Sequence, residues 1–397
     1  MRDEYDVVVV GAGPGGSAAA RVAAQECETL LIEKRQEIGD PVRCAEALPG
    51  GVLMEIVGLR NMKKRWISSE IKGARFHAPD GTTVDVTSEM FRMEEPLGYI
   101  LERKIFDRDL AKEAARAGAH VMVRTRATGL IIEDGAVKGV KMNSLGDDFE
   151  VRSKVVIGAD GIESQVGRLG GINTALKIKD IESCAQYHME NVEVREHMLD
   201  FYFGEKYAPG GYAWVFPKGG RAANIGLGAL GSKLNGRRPV NYLNEFVADK
   251  FQGGQQIELV VGGVPVSDAL KTFVSDGLML VGDAAHHSEP LTGAGITLAL
   301  ASGQAAADVA RKAVREKDAS VRVLREYETE WNNNPYGKQR KRLYNAKEFL
   351  VERSDEELNR IIRVFRGLQP EELTLKGITT RILKKDPKLM LMIRHLL

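Results

Sequence analysis

The 397-residue sequence contains three cysteines, too few for a disulfide framework, so the chain is expected to be a reduced, cytoplasmic protein. It has no excess of one charge: 56 Lys and Arg stand against 55 Asp and Glu, a formal +1, which argues against a dedicated nucleic-acid binder. No run approaches the ~18 apolar residues that a membrane-spanning helix needs. The opening MRDEYDVVVVGAG sets acidic residues before a very short apolar run, which does not read as a signal peptide. Internal repeats and low-complexity tracts are also missing. What remains, 43% hydrophobic and 28% charged, is a globular composition whose length suggests about two domains.

The even balance hides an asymmetry. Residues 331–397 hold 15 Lys and Arg against 8 Asp and Glu, net +7, which leaves −6 on residues 1–330. KQRKRLYNAK (338–347) reads as a solvated helix face, with phosphates or an anionic membrane surface as the alternative.

Along the chain, Tyr5–Val10 is a β-branched run of the kind buried on both faces of a parallel sheet. An Ala-rich helix (17–26) and a second strand (TLLIE, 29–33) complete a βαβ unit. An amphipathic segment from Lys104 to Ala117 precedes a strand at 120–124; further strands over 130–142 and 149–157 turn at Asp134-Gly135 and Gly146. Period-two alternation marks about 70–98 and 175–275, with hairpin signals at Asp80-Gly81 and Gly219-Gly220. LMLVG (278–282) returns to buried-strand character, and a small-residue helix runs from Gly295 to about Val314. Beyond it the chain reads as helices with a polar break at NNNPYG (332–337).

Gly11-Ala-Gly13-Pro-Gly-Gly16 is a G-x-G-x-x-G between a strand and a helix. Gly11 permits the tight turn, Gly13 lets backbone approach a pyrophosphate, and Gly16 lets the helix pack close to the strand. Glu33, 17 residues past Gly16, is placed to accept from a ribose hydroxyl. The combination predicts a bound dinucleotide, its phosphates at the helix N-terminus. A second match, Gly226–Gly231, lacks a following helix and reads as the Gly-rich end of a strand. LMLVGDAA (278–285) with Asp283, then Gly293-Ala-Gly295-Ile296, supply a flavin-type second half, and GADG (158–161) a third segment.

Together these segments resemble the glutathione-reductase-like FAD proteins of the p-hydroxybenzoate hydroxylase-like branch, and within it the geranylgeranyl reductase family. The narrower resemblance rests on Pro209-Gly-Gly-Tyr212-Ala-Trp214-Val-Phe216-Pro217 and on Pro41-Val-Arg-Cys44-Ala45-Glu46. It implies an α/β fold: a Rossmann-like FAD-binding domain in pieces (1–70, 98–174, 276–330), an inserted antiparallel-sheet substrate domain (71–97, 175–275) and a helical C-terminal region (331–397). It implies saturation of the isoprenoid chains of membrane lipids by flavin, with Gly16, Glu33, Cys44, Ala45, Ala47, Arg103, Ala127, Asp283, Gly295 and Ile296 around FAD. The family's C-G-E-G is Cys44-Ala45-Glu46-Ala47 here, and its T-G-G-G is Thr292-Gly293-Ala294-Gly295; both changes keep small residues.

On spacing, Tyr212, Trp214 and Phe216 share one face of an extended strand, either as ordinary sheet core or as an apolar wall for a prenyl chain. The resemblance favours the wall, with Pro209 and Pro217 bounding it and Tyr212, Trp214 and Cys44 as catalytic candidates. Cys44 would donate a proton or tune the flavin, against the alternative of a small buried hydrophobe. Arg103 reads as reaching the FAD phosphates or as a surface ion pair with Glu102 or Asp107. Cys27, Cys184 and the loop pair His286-His287, taken as solvent-exposed, receive structural readings, and no metal site is expected. The electron donor is expected to be external, reduced ferredoxin or NAD(P)H. The basic tail ILKKDPKLMLMIRHLL (382–397) suggests peripheral membrane association. An aromatic-ring monooxygenase and a non-enzymatic isoprenoid escort remain as other readings on the same fold.

Overall fold

A computed structural model describes residues 2–50, 64–372, 375–387 and 389; for Leu375, Lys376 and Ile378 it describes the backbone alone. The first sheet grows from the β-branched run. β1 (Glu4–Val10) pairs in parallel with β2 (Thr29–Ile32) and β11 (Asp147–Gly158). β8 (His120–Met122), the short β17 (Val274–Ser275) and β18 (Leu278–Leu280) complete the order β17-β18-β11-β1-β2-β8. β9 (Thr125–Glu133) and β10 (Ala136–Ser144) extend it as an antiparallel meander with β11. The turns at Asp134-Gly135 and Gly146 lie where expected but join three strands rather than two. Asp134 and Gly135 both have positive φ (50° and 80°), the geometry of a two-residue hairpin, so β9 ends where the expected strand ran on.

Helices cover this sheet. α1 (Pro14–Ala23) begins with proline in its first turn, where the missing N–H costs nothing. α2 (Arg103–Arg116) and the short α3 (Gln165–Leu169) follow. The long α5 (Ile296–Glu316) lies so close on α1 that a Cβ at Gly303 would stand 2.1 Å from the Gly15 carbonyl oxygen.

The alternating segments form a second sheet. It contains β5 (Gly73–His77), β6 (Thr83–Thr87), β12 (Ile181–Glu190), β13 (Met198–Phe203), β14 (Tyr212–Gly219), β15 (Ala222–Leu230) and β16 (Gln255–Pro265). Their order is β16-β12-β15-β14-β13-β5-β6, with hairpins at Asp80-Gly81 and Gly219-Gly220. Gly226 and Gly228 of the second G-x-G-x-x-G lie inside β15, so that match is a strand end as expected. α4 (Pro239–Lys250) covers one face, burying Phe246 and Leu243 against Ala185, Tyr187 and Leu227. A small third sheet, β3 (Ala47–Pro49), β7 (Gly98–Leu101) and β4 (Ile67–Ile71), bridges the two large ones.

Four helices close the chain: α6 (Val321–Asn333), α7 (Pro335–Val351), α8 (Asp355–Phe365) and α9 (Leu375–Lys385). The polar break is a helix start: the Asn334 side chain accepts from the Gly337 N–H (2.9 Å) and Pro335 follows. The basic stretch on α7 is only partly the solvated face expected. Arg340 and Lys347 are buried, and α7 packs over the junction of the two sheets because both cations find oxygen partners there. Arg340 donates to the Ser288 and Ser267 carbonyls (2.9 Å each) and Lys347 pairs with Glu348 (2.8 Å) and Asp180 (3.4 Å). Among the described residues no helix is long and apolar enough to cross a membrane. Most of the tail after Asp386 lies outside the described residues; Ile382 and Leu389 pack inward against Val364.

Candidate active site

Three glycine-bearing segments converge because each follows the carboxyl end of a neighbouring parallel strand. Gly11–Gly16 follows β1, Ala159–Gly161 follows β11, and Gly282-Asp283 follows β18. That edge is where open α/β sheets bind ligands. Gly11 turns with φ 105°, and a Cβ at Gly16 would stand 1.8 Å from the Gly11 carbonyl oxygen, so only glycine lets α1 approach. Glu33 accepts from the Ala12 N–H and the Arg35 N–H (3.0 Å each), which holds its carboxylate at the end of β2 beside the fingerprint. Neither α1 nor α5 has a side-chain cap at its N-terminus, and both ends open on one cavity of ≈ 1000 Å³. Asp283 lies against the start of α5, and burial pushes its carboxyl up to about 6, opposed by the charges of Arg103 and Arg340. Uncapped N–H groups aimed at a cavity, an unobstructed Gly13 and acids at two strand ends fit the phosphates, ribityl chain and ring of FAD.

The opposite wall is the second sheet. Side chains alternate, so Glu182, Cys184 and Gln186 of β12 and Tyr212, Trp214 and Phe216 of β14 all face the cavity. Gln186 fastens two of its parts: it donates to the Cys44 carbonyl (3.1 Å) and accepts from Trp214 Nε1 (3.0 Å). The Tyr212 hydroxyl donates to the Thr292 carbonyl, and burial holds its phenol well above the usual range. Cys44, Ala45 and Ala47 line the cavity between the walls that the two large sheets supply. Burial raises the Cys44 thiol, Arg103 opposing, so it is protonated at neutral pH. Its sulfur accepts from the Glu46 N–H (3.2 Å). The far end is apolar and is closed by Leu350 and Val351 of α7 and Leu358, Ile361, Ile362 and Phe365 of α8.

Most of the expected residues gather here, but not all. Ala127 is buried in the core of the first sheet rather than in the cavity wall. Pro217, at odd spacing from Trp214, faces away from the cavity, and Pro209 spends its carbonyl on the Leu230 N–H (3.0 Å). Arg103 does line the cavity, yet its ion pair with Asp107 (2.7 Å, two contacts) is internal, not on the surface. Cys184, taken as structural, lies in the wall near Cys44. Glu182 and Gln186 were not anticipated: their polar side chains at alternate positions of β12 look like the wet face of an amphipathic strand.

His286 and His287 are buried, not exposed, because α6 and α7 cover the loop. His287 stacks on Trp331 (4.2 Å between ring centres), and among the described residues neither ring nitrogen has a partner. Burial pushes His286 down to about 4 and His287 well below the ordinary 6.5. Unfolded chains take up these protons below pH 6.5 and the fold refuses them, so this contribution is complete above pH 6.5 and is lost toward pH 4. His287→Phe should therefore gain on the wild type by about 2 kcal/mol between pH 7.5 and 5. Urea midpoints of both proteins at the two pH values check this; a constant difference contradicts it.

Fold and cavity define the class: an oxidoreductase with a Rossmann-like FAD-binding domain and FAD as its cofactor. Family models match at residues 5–199 (pyridine nucleotide-disulphide oxidoreductase) and 180–264 (geranylgeranyl reductase catalytic domain). A digeranylgeranylglycerophospholipid reductase of Methanocella arvoryzae is 50% identical over 391 residues, covering 98% of each chain. One of Methanococcoides burtonii is 46% identical over 98% of this chain and 95% of its own. A crystal structure of a geranylgeranyl bacteriochlorophyll reductase-like protein from Thermoplasma acidophilum superposes with TM-score 0.92, 40% identity and full coverage of both chains. A flavin-dependent brominase, 19% identical with TM-score 0.73 over 97% of this chain and all of its own, shares the fold. The chain belongs to the digeranylgeranylglycerophospholipid reductase family.

Proposed function

We propose that this protein reduces the double bonds of geranylgeranyl chains on glycerophospholipids. One observation carries the reading: a single cavity runs from the N-termini of α1 and α5 to an apolar chamber walled by Tyr212, Trp214 and Phe216 and closed by α7 and α8. Bound FAD, once reduced, supplies the hydride. An isolated alkene has no carbonyl to take up charge, so the protein must align the chain and provide a proton. Tyr212, Trp214 and Phe216 form one face for the chain, and Gln186 and the Thr292 carbonyl keep Trp214 and Tyr212 in place. The Arg103–Asp107 pair stands behind Cys44 and Asp283. Cys44, beside Arg103 in the same cavity wall, is read as the thiol that meets cofactor and chain.

The electron donor in this reading is external, reduced ferredoxin or NAD(P)H. Peripheral membrane association through the net +7 of residues 331–397 is read from charge alone, and flotation with anionic vesicles tests it.

The deciding experiment is anaerobic. Protein reduced with dithionite is mixed with a geranylgeranylated glycerophospholipid, and flavin reoxidation is followed alongside the lipid's mass. The expected result is reoxidation coupled to a gain of two hydrogens per double bond. Reoxidation only by oxygen with an aromatic acid, giving a hydroxylated product, would hand the site to a monooxygenase. Cys44→Ser should lower lipid-dependent reoxidation by about 10²-fold with FAD content unchanged, because the thiol helps to hold cofactor and chain in register; an unchanged rate removes the thiol from the site.

A further inference from the structure

One carboxyl group in the cavity wall has no task in the reading above. Glu182, near the start of β12, is 6% exposed and faces the cavity with Cys184 and Gln186. Two glycines make its slot: a Cβ at Gly228 would stand 2.6 Å from Oε2 and one at Gly211 3.3 Å from Oε1. Its neighbours are committed elsewhere. Gln186 bridges Cys44 and Trp214, Tyr212 donates to Thr292, and the Cys184 thiol donates to the Glu182 main-chain oxygen (3.7 Å). Among the described residues no side chain or amide donates to the Glu182 carboxyl. A buried, unpartnered carboxyl is costly as an anion and stable as an acid.

The groups facing it are Cys184 on its own strand, Tyr212 from β14, Lys347 from α7 and Glu289 from the segment after β18. Lys347 is already paired with Glu348 and Asp180. Burial, opposed by Lys347 and reinforced by Glu289, pushes the Glu182 carboxyl up to about 7. Cys184 and Tyr212 are both raised well above their usual values, chiefly by burial. Glu182 is thereby poised to exchange its proton near neutral pH.

We propose that Glu182 is the acid that protonates the alkene. This rests on the cavity being the prenyl-chain site. The C=C π bond breaks and two C–H bonds form. One carbon takes the hydride that the reduced cofactor supplies. The other takes the Glu182 proton on the π pair, and the O–H pair stays on the carboxylate. A solvent proton restores the acid, and an external donor returns the two electrons, either as two one-electron equivalents of the ferredoxin class or as one hydride of the NAD(P)H class. Glu182 also explains why β12 carries polar side chains on a face turned toward an apolar substrate.

The test uses dithionite-reduced holoenzyme and a geranylgeranylated glycerophospholipid, with stopped-flow reoxidation from pH 5.5 to 8.5. Wild-type rates should fall as pH rises through about 7. Glu182→Gln should slow reoxidation by about 10²-fold or more and flatten that profile, with FAD content and lipid quenching of tryptophan fluorescence unchanged. Glu182→Asp should recover part of the rate and keep a pH dependence. A Glu182→Gln rate within threefold of wild type, or a profile it leaves unmoved, overturns the assignment. A wild-type enzyme that the lipid does not reoxidise overturns the reading of the site, and the proposal with it.

Discussion

Gly16→Ala is expected to yield protein without FAD, and Gly13→Ala to yield protein that folds normally but holds FAD at least tenfold more weakly. The two glycines are three residues apart and do different work. A Cβ at 16 would stand 1.8 Å from the Gly11 carbonyl oxygen and 3.1 Å from the Ala159 Cβ, so α1 must back away from β1. It has nowhere to go, because α5 already touches its other side at Gly15 and Gly303. Overpacking of this kind costs ~1–3 kcal/mol or more and opens the phosphate turn. At Gly13 the backbone is ordinary (φ −70°) and no atom lies within 4 Å of an added Cβ. That methyl would cost the helix cap about 1 kcal/mol or less. It would stand in the cavity at the helix N-terminus, where backbone must approach phosphate. The ratio of flavin to protein absorbance, with urea unfolding of the apoproteins, separates the two cases. Equal flavin content in both variants would show that the fingerprint acts only through packing.

Lys218→Met is expected to destabilise the fold by about 3–5 kcal/mol. The Lys218 side chain is 6% exposed and donates to Glu46 (2.7 Å), Glu102 (2.9 Å) and the Leu101 carbonyl (2.8 Å). Glu46, also buried, accepts from the Asn224 amide (2.7 Å) and the Arg103 N–H (2.9 Å). This knot ties the Cys44–Ala47 segment to β14, β15 and β7, three strands from two different sheets. Methionine fills most of the space but leaves Glu46 as a buried anion without its cation. Adding Glu46→Gln should restore much of the loss, since an amide needs no counter-charge. Urea unfolding of the single and double variants measures both. If the double variant is no better than Lys218→Met, the cost is packing rather than charge. FAD content should follow stability, because Cys44, Ala45 and Ala47 line the same cavity.

Much of the site was legible because its signals are local. A glycine fingerprint between a β-branched strand and an Ala-rich helix declares its own geometry over about 30 residues. Tyr212, Trp214 and Phe216 declare a common face by spacing alone. The structural readings failed where distant chain decides burial. His286 and His287 sit in a loop, yet α6 and α7, some 40 residues on, cover them. The basic run on α7 looks solvated, but Arg340 and Lys347 turn inward to meet carbonyl and carboxylate oxygens from residues 179–180, 267 and 288.

The sequence by itself determined the Rossmann-like domain, the FAD fingerprint, the alternating second sheet and the aromatic face of β14, since each is written in neighbours a few residues apart. Only the tertiary structure decided what β12 does. Period two says that a strand has two faces, not which is covered; here α4 packs on the Ala185 and Tyr187 side. Glu182, Cys184 and Gln186 are thereby left to wall the cavity, and a residue that reads as a solvent-facing acid becomes a carboxyl in the wall beside Tyr212, Trp214 and Phe216.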